Sequence, residues 1–343
     1  MKEIIYIVIK EYNDKLAKRQ PWYSIKKLYD DLLILDKEVF IVSSVKEIPV
    51  SFSGKIIKVF SIKDLFYKKH PNHQLIYFMT FPIYSINKFL SMPFKTIYSN
   101  WSDLKRILLV ACIPSFILKY TLNKADHIIV ISDRSEEYLS KIVSTHKYIP
   151  FIFNNWGNIK QDRKNKKNKK TIGYFGPPFL TRSFDDIINF FSWLNNNGYM
   201  YNKKIITRIE REELKNIADI YLSKINHDKS LKVVKGFLNR DALAKELLDI
   251  DVLILPFKIV MSELPIVVLE ALELNIPIIT TSDSGINLIT KNQKNIIVFD
   301  NFEEDKFIDA IKFIENLKYD DFDNVSKSIK AINKITLELL CQN

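Results

Sequence analysis

Glu263 and Glu270 stand seven positions apart within Asp251–Ile289, DVLILPFKIVMSELPIVVLEALELNIPIITTSDSGINLI. Seven residues span about two helical turns, so a helix through this region puts both carboxylates on nearly one face. Carboxylates accept hydrogen bonds from hydroxyls, and such a pair could hold a sugar at one end and a ribose at the other. The residue pattern predicts a strand over Val252–Leu255 that ends at Pro256, then a loop carrying Lys258, Ser262 and Glu263. A helix follows from Pro265 to about Glu273, and a further strand over Pro277–Thr280. Pro suits the first turn of a helix, where a missing N–H costs nothing. The N–H groups near Ile266 and Val267, beside Leu264 and Pro265, would point into the loop. With the helix dipole they suit a phosphate or sugar oxygen. Without further context, the pair is more simply a helix N-terminal charge and a solvent-facing helix residue.

A second stretch, Thr171–Phe191, reads TIGYFGPPFLTRSFDDIINFF. A strand runs through Gly173 to Phe175 and Gly176, a Pro-Pro loop follows, and Thr181 and Arg182 precede a helix. Ser183 and Asp186 have the spacing of a capping box. Arg182 would then sit at a helix N-terminus, where a forked, permanently charged guanidinium can hold a diphosphate. Lys258, in the loop expected to face it, could supply a second positive charge. The simpler alternative for Arg182 is a surface arginine near a cap.

The elements that must position these residues alternate along the whole chain. Short apolar runs rich in β-branched residues occur at Ile4–Ile9, Val39–Val42, Ile56–Val59, Leu75–Met79, Thr96–Tyr98, Ile128–Ile131 and Tyr148–Phe153. They recur at Thr171–Phe175, Lys204–Thr207, Leu231–Val234, Val252–Leu255, Pro277–Thr280 and Asn295–Phe299. Buried parallel strands read this way. Between them lie helical faces, such as Ile25, Leu28, Tyr29, Leu32 and Leu33, or Phe184, Ile187, Ile188 and Phe191. This alternation predicts an α/β protein with doubly wound parallel sheets. A chain of 343 residues exceeds the usual single domain. The expected organisation is a Rossmann-like domain over residues 1–155, a basic linker over 156–170 and a second Rossmann-like domain over 171–322, with a cleft between the two. A last helix within 323–343 would pack back on the first domain.

These motifs together resemble the retaining family 4 glycosyltransferases of the GT-B fold. The resemblance rests on Asp251, Pro256, Glu263, Pro265, Leu269-Glu270-Ala271, Asn275-Ile276-Pro277-Ile278-Ile279 and Gly285. Ala125–Ser132 and Leu231–Leu238 add weaker matches. The resemblance covers roughly residues 125–300 and is strongest over 171–290. It implies that Glu263 contacts the transferred sugar, that Glu270 contacts the ribose, and that the N–H groups after Glu263 meet the donor sugar and diphosphate. Arg182 falls where the family carries the lysine of a Lys-Gly pair, and Gly176 lies in its preceding glycine turn. Several positions depart from the pattern. Six residues separate the glutamates where the family has seven, which places Ser262 at the family's first glutamate. Pro177 stands at an expected arginine, Tyr12–Trp22 holds no glycine where many members have a Gly-rich loop, and Asn100-Trp101 replaces a His-Gly pair. Asn100 could still hydrogen-bond a sugar hydroxyl.

The resemblance therefore implies transfer of a sugar with retention from a nucleoside diphosphate sugar, without a metal or other cofactor, to a glycan or lipid-linked acceptor in cell-surface polysaccharide or glycoconjugate synthesis. The departures motivate an alternative, a catalytically inactive relative acting as a partner subunit. His70, His73, His146 and His227 show no metal-ligand spacing, and two cysteines, Cys112 and Cys341, exclude a disulfide framework. The net charge of +11 is uneven. Residues 1–155 carry 23 Lys/Arg against 14 Asp/Glu, residues 156–170 carry 7 against 1, and residues 171–343 carry 21 against 25. A basic first half suits an anionic membrane surface or a lipid-phosphate acceptor, and is equally compatible with a Lys-rich surface without function. Nucleic acid is not the expected partner, because no aromatic residues interleave with the charges of the linker. Leu104–Leu122, apolar with Lys105, Arg106 and Lys119 at its flanks, is too short to span a bilayer. It reads as a buried helix kinked at Pro114 or as an interfacial anchor. The N-terminus reads as a first strand rather than a signal peptide. The expected location is cytoplasmic, peripheral on the inner face of the membrane.

Overall fold

The computed structural model describes residues 4–9, 22–43, 55–58, 73–78, 115–149, 169–209, 212–236, 238–260, 264–282, 294–317 and 323–342. The first sheet consists of β1 (Ile4–Ile9), β2 (Glu38–Ser43), β3 (Lys55–Lys58), β4 (His73–Phe78), β5 (His127–Val130) and β6 (His146–Lys147), in the order β3-β2-β1-β4-β5-β6. The second consists of β7 (Thr171–Phe175), β8 (Asn202–Thr207), β9 (Leu231–Lys235), β10 (Val252–Leu255), β11 (Ile278–Thr281) and β12 (Ile296–Phe299), in the order β12-β11-β10-β7-β8-β9. Every strand pair is parallel. Both sheets thus start at a central strand, wind outward to one side, and return to wind to the other. Among the described residues the helices are α1 (Trp22–Ile34), α2 (Ser115–Leu122), α3 (Asp133–Leu139), α4 (Phe184–Asn196), α5 (Glu212–Leu222), α6 (Arg240–Leu248), α7 (Ile266–Glu273), α8 (Phe307–Glu315) and α9 (Asp323–Leu339).

The local chemistry explains these choices. All four residues of β10 are buried, and so are all four of β11, as expected of central strands covered on both faces. α4 buries Phe184, Ile187, Ile188, Phe190, Phe191 and Leu194 in one core with Tyr174, Val252, Ile254 and Phe307. α1 buries Ile25, Leu28, Tyr29 and Leu32, but Leu33 turns to solvent near the helix end. Two acidic residues hold strand edges in register. Asp126 accepts the Leu75 N–H at 2.7 Å, and Asp251 accepts the Thr171 N–H at 2.8 Å.

The expected strand over Tyr148–Phe153 is absent from its described part. β6 ends at Lys147, and Ile149 makes its backbone bonds with a side chain instead. The Asn333 amide, on α9, accepts from the Ile149 N–H at 2.8 Å and donates to the Ile149 carbonyl at 2.6 Å. Thr336, one turn further on α9, donates to the Lys147 carbonyl at 2.5 Å. An amide that satisfies both backbone groups of one residue replaces what a strand neighbour would supply. The last helix therefore packs at the end of β6. Residues 156–168 of the basic linker and the expected strand over Thr96–Tyr98 lie outside the described residues.

Gly173 is approached closely by Ile250. A Cβ built there would come within 2.4 Å of Ile250 Cδ1 and within 2.8 Å of Ile250 Cγ2. Both branches of Ile250 would be struck, so a rotamer change cannot relieve the clash. Gly173→Ala is expected to lower stability by about 1–3 kcal/mol, the usual range for overpacking. Urea unfolding of the variant checks this.

Candidate functional site

The order of the second sheet reverses between β7 and β10, its two adjacent central strands. The loops leaving their carboxyl ends run to opposite faces, which opens the crevice where doubly wound sheets bind ligands. Gly176 is the first residue beyond β7, and its N–H bonds the Ile206 carbonyl of β8 at 3.0 Å. The chain then passes Pro177, whose carbonyl accepts the buried Tyr174 hydroxyl at 2.8 Å. Burial pushes the Tyr174 pKa well above its ordinary value; Arg182 works against this shift and Asp185 with it. A short 3-10 turn, Leu180–Arg182, leads into α4.

This turn is tied to the loop after β10. The Thr181 carbonyl accepts the N–H groups of both Lys258 and Ile259, each at 3.0 Å. The Thr181 hydroxyl oxygen is buried without a hydrogen-bond partner among the described residues. The Arg182 guanidinium lies 5.7 Å from the centroid of the Phe257 ring, a cation–π distance. A Cβ on Gly176 would come 3.0 Å from the Tyr174 hydroxyl and 3.6 Å from Arg182 Nη1. Glycine therefore leaves room where the backbone passes the arginine. The loop after β10 is itself pinned from β11. Thr280 donates to the Leu255 carbonyl at 2.8 Å, and Thr281 donates to the Phe257 carbonyl at 2.5 Å.

α7 begins on the same loop. Pro265 is its N-cap, in extended conformation, rather than its first helical residue. The Val268 N–H bonds back to the Pro265 carbonyl at 3.0 Å, which tightens the first turn. The N–H groups of Ile266 and Val267, as the first two of the helix, have no intrahelical acceptor. Only Ile266 and Glu270 of α7 are partly exposed, while Val267–Leu269 and Ala271–Glu273 are buried. Positions four apart share a face. The accessible strip of α7 thus runs from its amino end to the Glu270 carboxylate.

The structure brings Gly176, Thr181, Arg182 and Lys258 together, and starts Leu264, Pro265, Ile266, Val267 and Glu270 from the loop that carries Lys258. Ser262, Glu263 and Asn100 lie outside the described residues. Two expectations change. The Lys258 ammonium is committed to two carboxylates at the head of α4, Asp185 at 3.0 Å and Asp186 at 2.8 Å. Burial alone would lower the Lys258 pKa, but these carboxylates hold it above its usual value. Burial and the neighbouring Asp185 push Asp186 up, against the pull of Lys258. The capping box is also replaced. Ser183 is the N-cap residue of α4 with φ 54° and ψ 38°, and its side chain makes no bond to the helix N–H groups. Its hydroxyl hydrogen-bonds the Asp186 carboxylate instead. Sequence reasoning missed the part played by Asp185, because an acidic first turn is ordinary at any helix start. Among the described residues no group of three His, Cys, Asp or Glu side chains could hold a metal ion.

Two doubly wound parallel sheets, the second with a glycine turn, an arginine and a helix N-terminus at its switch point, define a glycosyltransferase fold of the GT-B type. Residues 157–331 match the family "Glycosyl transferases group 1", and the chain belongs to that family. Sucrose-phosphate synthase from Thermosynechococcus elongatus has the same fold, with a TM-score of 0.69 at 12% identity over 99% of both chains. WaaG, a glycosyltransferase involved in lipopolysaccharide biosynthesis, gives 0.62 at 11% identity over 99% of this chain and 100% of its own. Anabaena HepE, solved in complex with UDP and glucose, gives 0.55 at 12% identity over 100% of both chains. No curated protein matches the sequence.

Ser183 supplies a test of the left-handed cap. A non-glycine residue in this conformation costs about 1–2 kcal/mol, and its hydrogen bond returns about 1 kcal/mol. Ser183→Gly removes both and is expected to unfold within about 1 kcal/mol of the native chain. Ser183→Ala keeps the strain and loses the bond, so it should be the less stable of the two in urea denaturation.

Proposed function

We propose that this chain transfers a sugar, with retained anomeric configuration, from a nucleoside diphosphate donor to a glycan or lipid-linked acceptor in cell-surface polysaccharide or glycoconjugate synthesis. The observation that carries the reading lies at the switch point of the second sheet. There Arg182 stands over Gly176, and the loop that touches it leads into the amino end of α7. A forked cation and a helix N-terminus are what a diphosphate leaving group needs. Their dipoles and charge meet the negative charge that grows on the diphosphate as the glycosidic bond breaks. No metal or other cofactor is required in this scheme. Glu270, on the accessible strip of α7, holds the ribose, and Glu263 and Asn100 contact the transferred sugar. The leaving phosphate itself takes the acceptor proton, which fits retention. Closure of the two domains excludes water from the reaction. The presence of UDP and glucose in the HepE structure supports a nucleotide-sugar donor.

A panel of sugar nucleotides should raise the melting temperature for at least one member, since saturating ligand at about 100 Kd adds about 2.7 kcal/mol of stability. Glu270→Ala is expected to abolish transfer from that donor while leaving the fold intact. Native-like transfer by the variant would overturn the role given to Glu270.

The lipid-linked acceptor, at the inner face of the membrane, has its own support. α2 exposes Phe116 at 70% and Tyr120 at 67%, four residues apart, with Lys119 exposed between them and Lys124 Nζ 4.5 Å from the Tyr120 ring. Leu122, on the other side of the helix, is buried with Ile128, Val130 and Leu139. Aromatic and basic side chains on one exposed face suit an anionic interface, and WaaG acts in lipopolysaccharide biosynthesis. No helix among the described residues is long and apolar enough to cross a membrane. Flotation should show binding to vesicles containing anionic lipid, weakened by Phe116→Ser with Tyr120→Ser. Failure of the native chain to float would remove the membrane from this proposal.

A further inference from the structure

Asp185 and Asp186 follow Arg182 by three and four residues, at the head of α4. Two carboxylates so near a diphosphate site work against its occupant in two ways. They repel the phosphates, and they compete for the same guanidinium. Arg182 and Asp185 both act on the Tyr174 hydroxyl, in opposite senses. One group opposes both effects. Lys258 Nζ bonds both oxygens of Asp185 at 3.0 Å and lies 2.8 Å from Asp186. All three side chains are partly buried, with 29%, 21% and 18% exposure, so solvent screens them less than a surface pair. The backbone delivers Lys258 to this place, since the Thr181 carbonyl accepts both its N–H and that of Ile259. The residue before Lys258 is Phe257, whose ring carries the Arg182 guanidinium. The loop after β10 therefore touches the arginine on one side and neutralises its acidic neighbours on the other.

We propose that Lys258 is a positioning residue of the donor site, which masks Asp185 and Asp186 so that Arg182 is presented to a diphosphate, and which does not itself touch phosphate. The inference rests on the donor reading given above. It separates Lys258 from Arg182 in role, although both are cations at one strand end. The masking lysine matters only while the two carboxylates are charged.

Calorimetric titration of the full chain with UDP, GDP and ADP tests this. Lys258→Met should weaken binding of the preferred diphosphate about tenfold or more, and Lys258→Arg should stay within about threefold of the native chain. The deciding comparison is between Asp185→Asn/Asp186→Asn and the same pair combined with Lys258→Met. With no carboxylates to mask, the lysine is dispensable, and the two should bind alike within about threefold. That comparison holds even if Lys258→Met alone fails to fold. A triple variant weaker than the double by more than this makes Lys258 a phosphate ligand and overturns the proposal. Native-like binding by a folded Lys258→Met overturns it too. If the native chain binds none of the three diphosphates, the donor reading falls and the inference falls with it.

Discussion

In the second sheet the chain leaves β7 toward one edge and β10 toward the other, although the two strands are neighbours. Everything proposed for this protein depends on that divergence. A loop that leaves a strand and returns beside it covers its own end, whereas two loops that part leave a gap. The residues just past the two strand ends are the ones that border such a gap. Here those residues are a glycine, an arginine and the amino end of a helix. The fold supplies the place, and the choice of side chains supplies the charge.

The gap would be useless if its walls moved independently. The Thr181 carbonyl, holding two N–H groups of the opposite loop, joins the wall built after β7 to the wall built after β10. Thr280 and Thr281 join the second wall to β11. These bonds use backbone groups that would otherwise need water, so they stabilise the loops and fix the site together. The ion cluster of Lys258, Asp185 and Asp186 adds a charge-assisted tie across the same seam. The proposed stabilisation of a leaving group calls for such ties, since dipoles that must reorient lose most of their effect.

The two halves of the chain are related in design but not in chemistry. Both sheets have the same strand order, and the first also reverses direction, between β1 and β4. Yet the first half is strongly basic and the second is mildly acidic. The helix over Asp323–Leu339 is bonded to the end of β6 through Thr336 and to Ile149 beyond it through Asn333.

The sequence by itself determined most of the described strands and their type. Runs such as Val252–Leu255 and Thr171–Phe175 are apolar, β-branched and short, and such runs have few stable alternatives once buried. It also determined the strand–loop–helix units that carry Gly176, Arg182 and Glu270, including the helix after Pro265, because spacing within such a unit is local information. Tertiary structure decided the rest. Nothing in a linear reading tells whether Lys258 meets a phosphate or the carboxylates of Asp185 and Asp186, since they lie more than seventy residues apart and any of three charges could claim it. The same holds for Ile149 and Asn333, which replaced an expected strand with a side-chain amide. Hydrophobic patterns are read from neighbours in the chain, whereas the partner of a charge or a backbone group is chosen by whatever the fold brings near, and only the folded chain contains that choice.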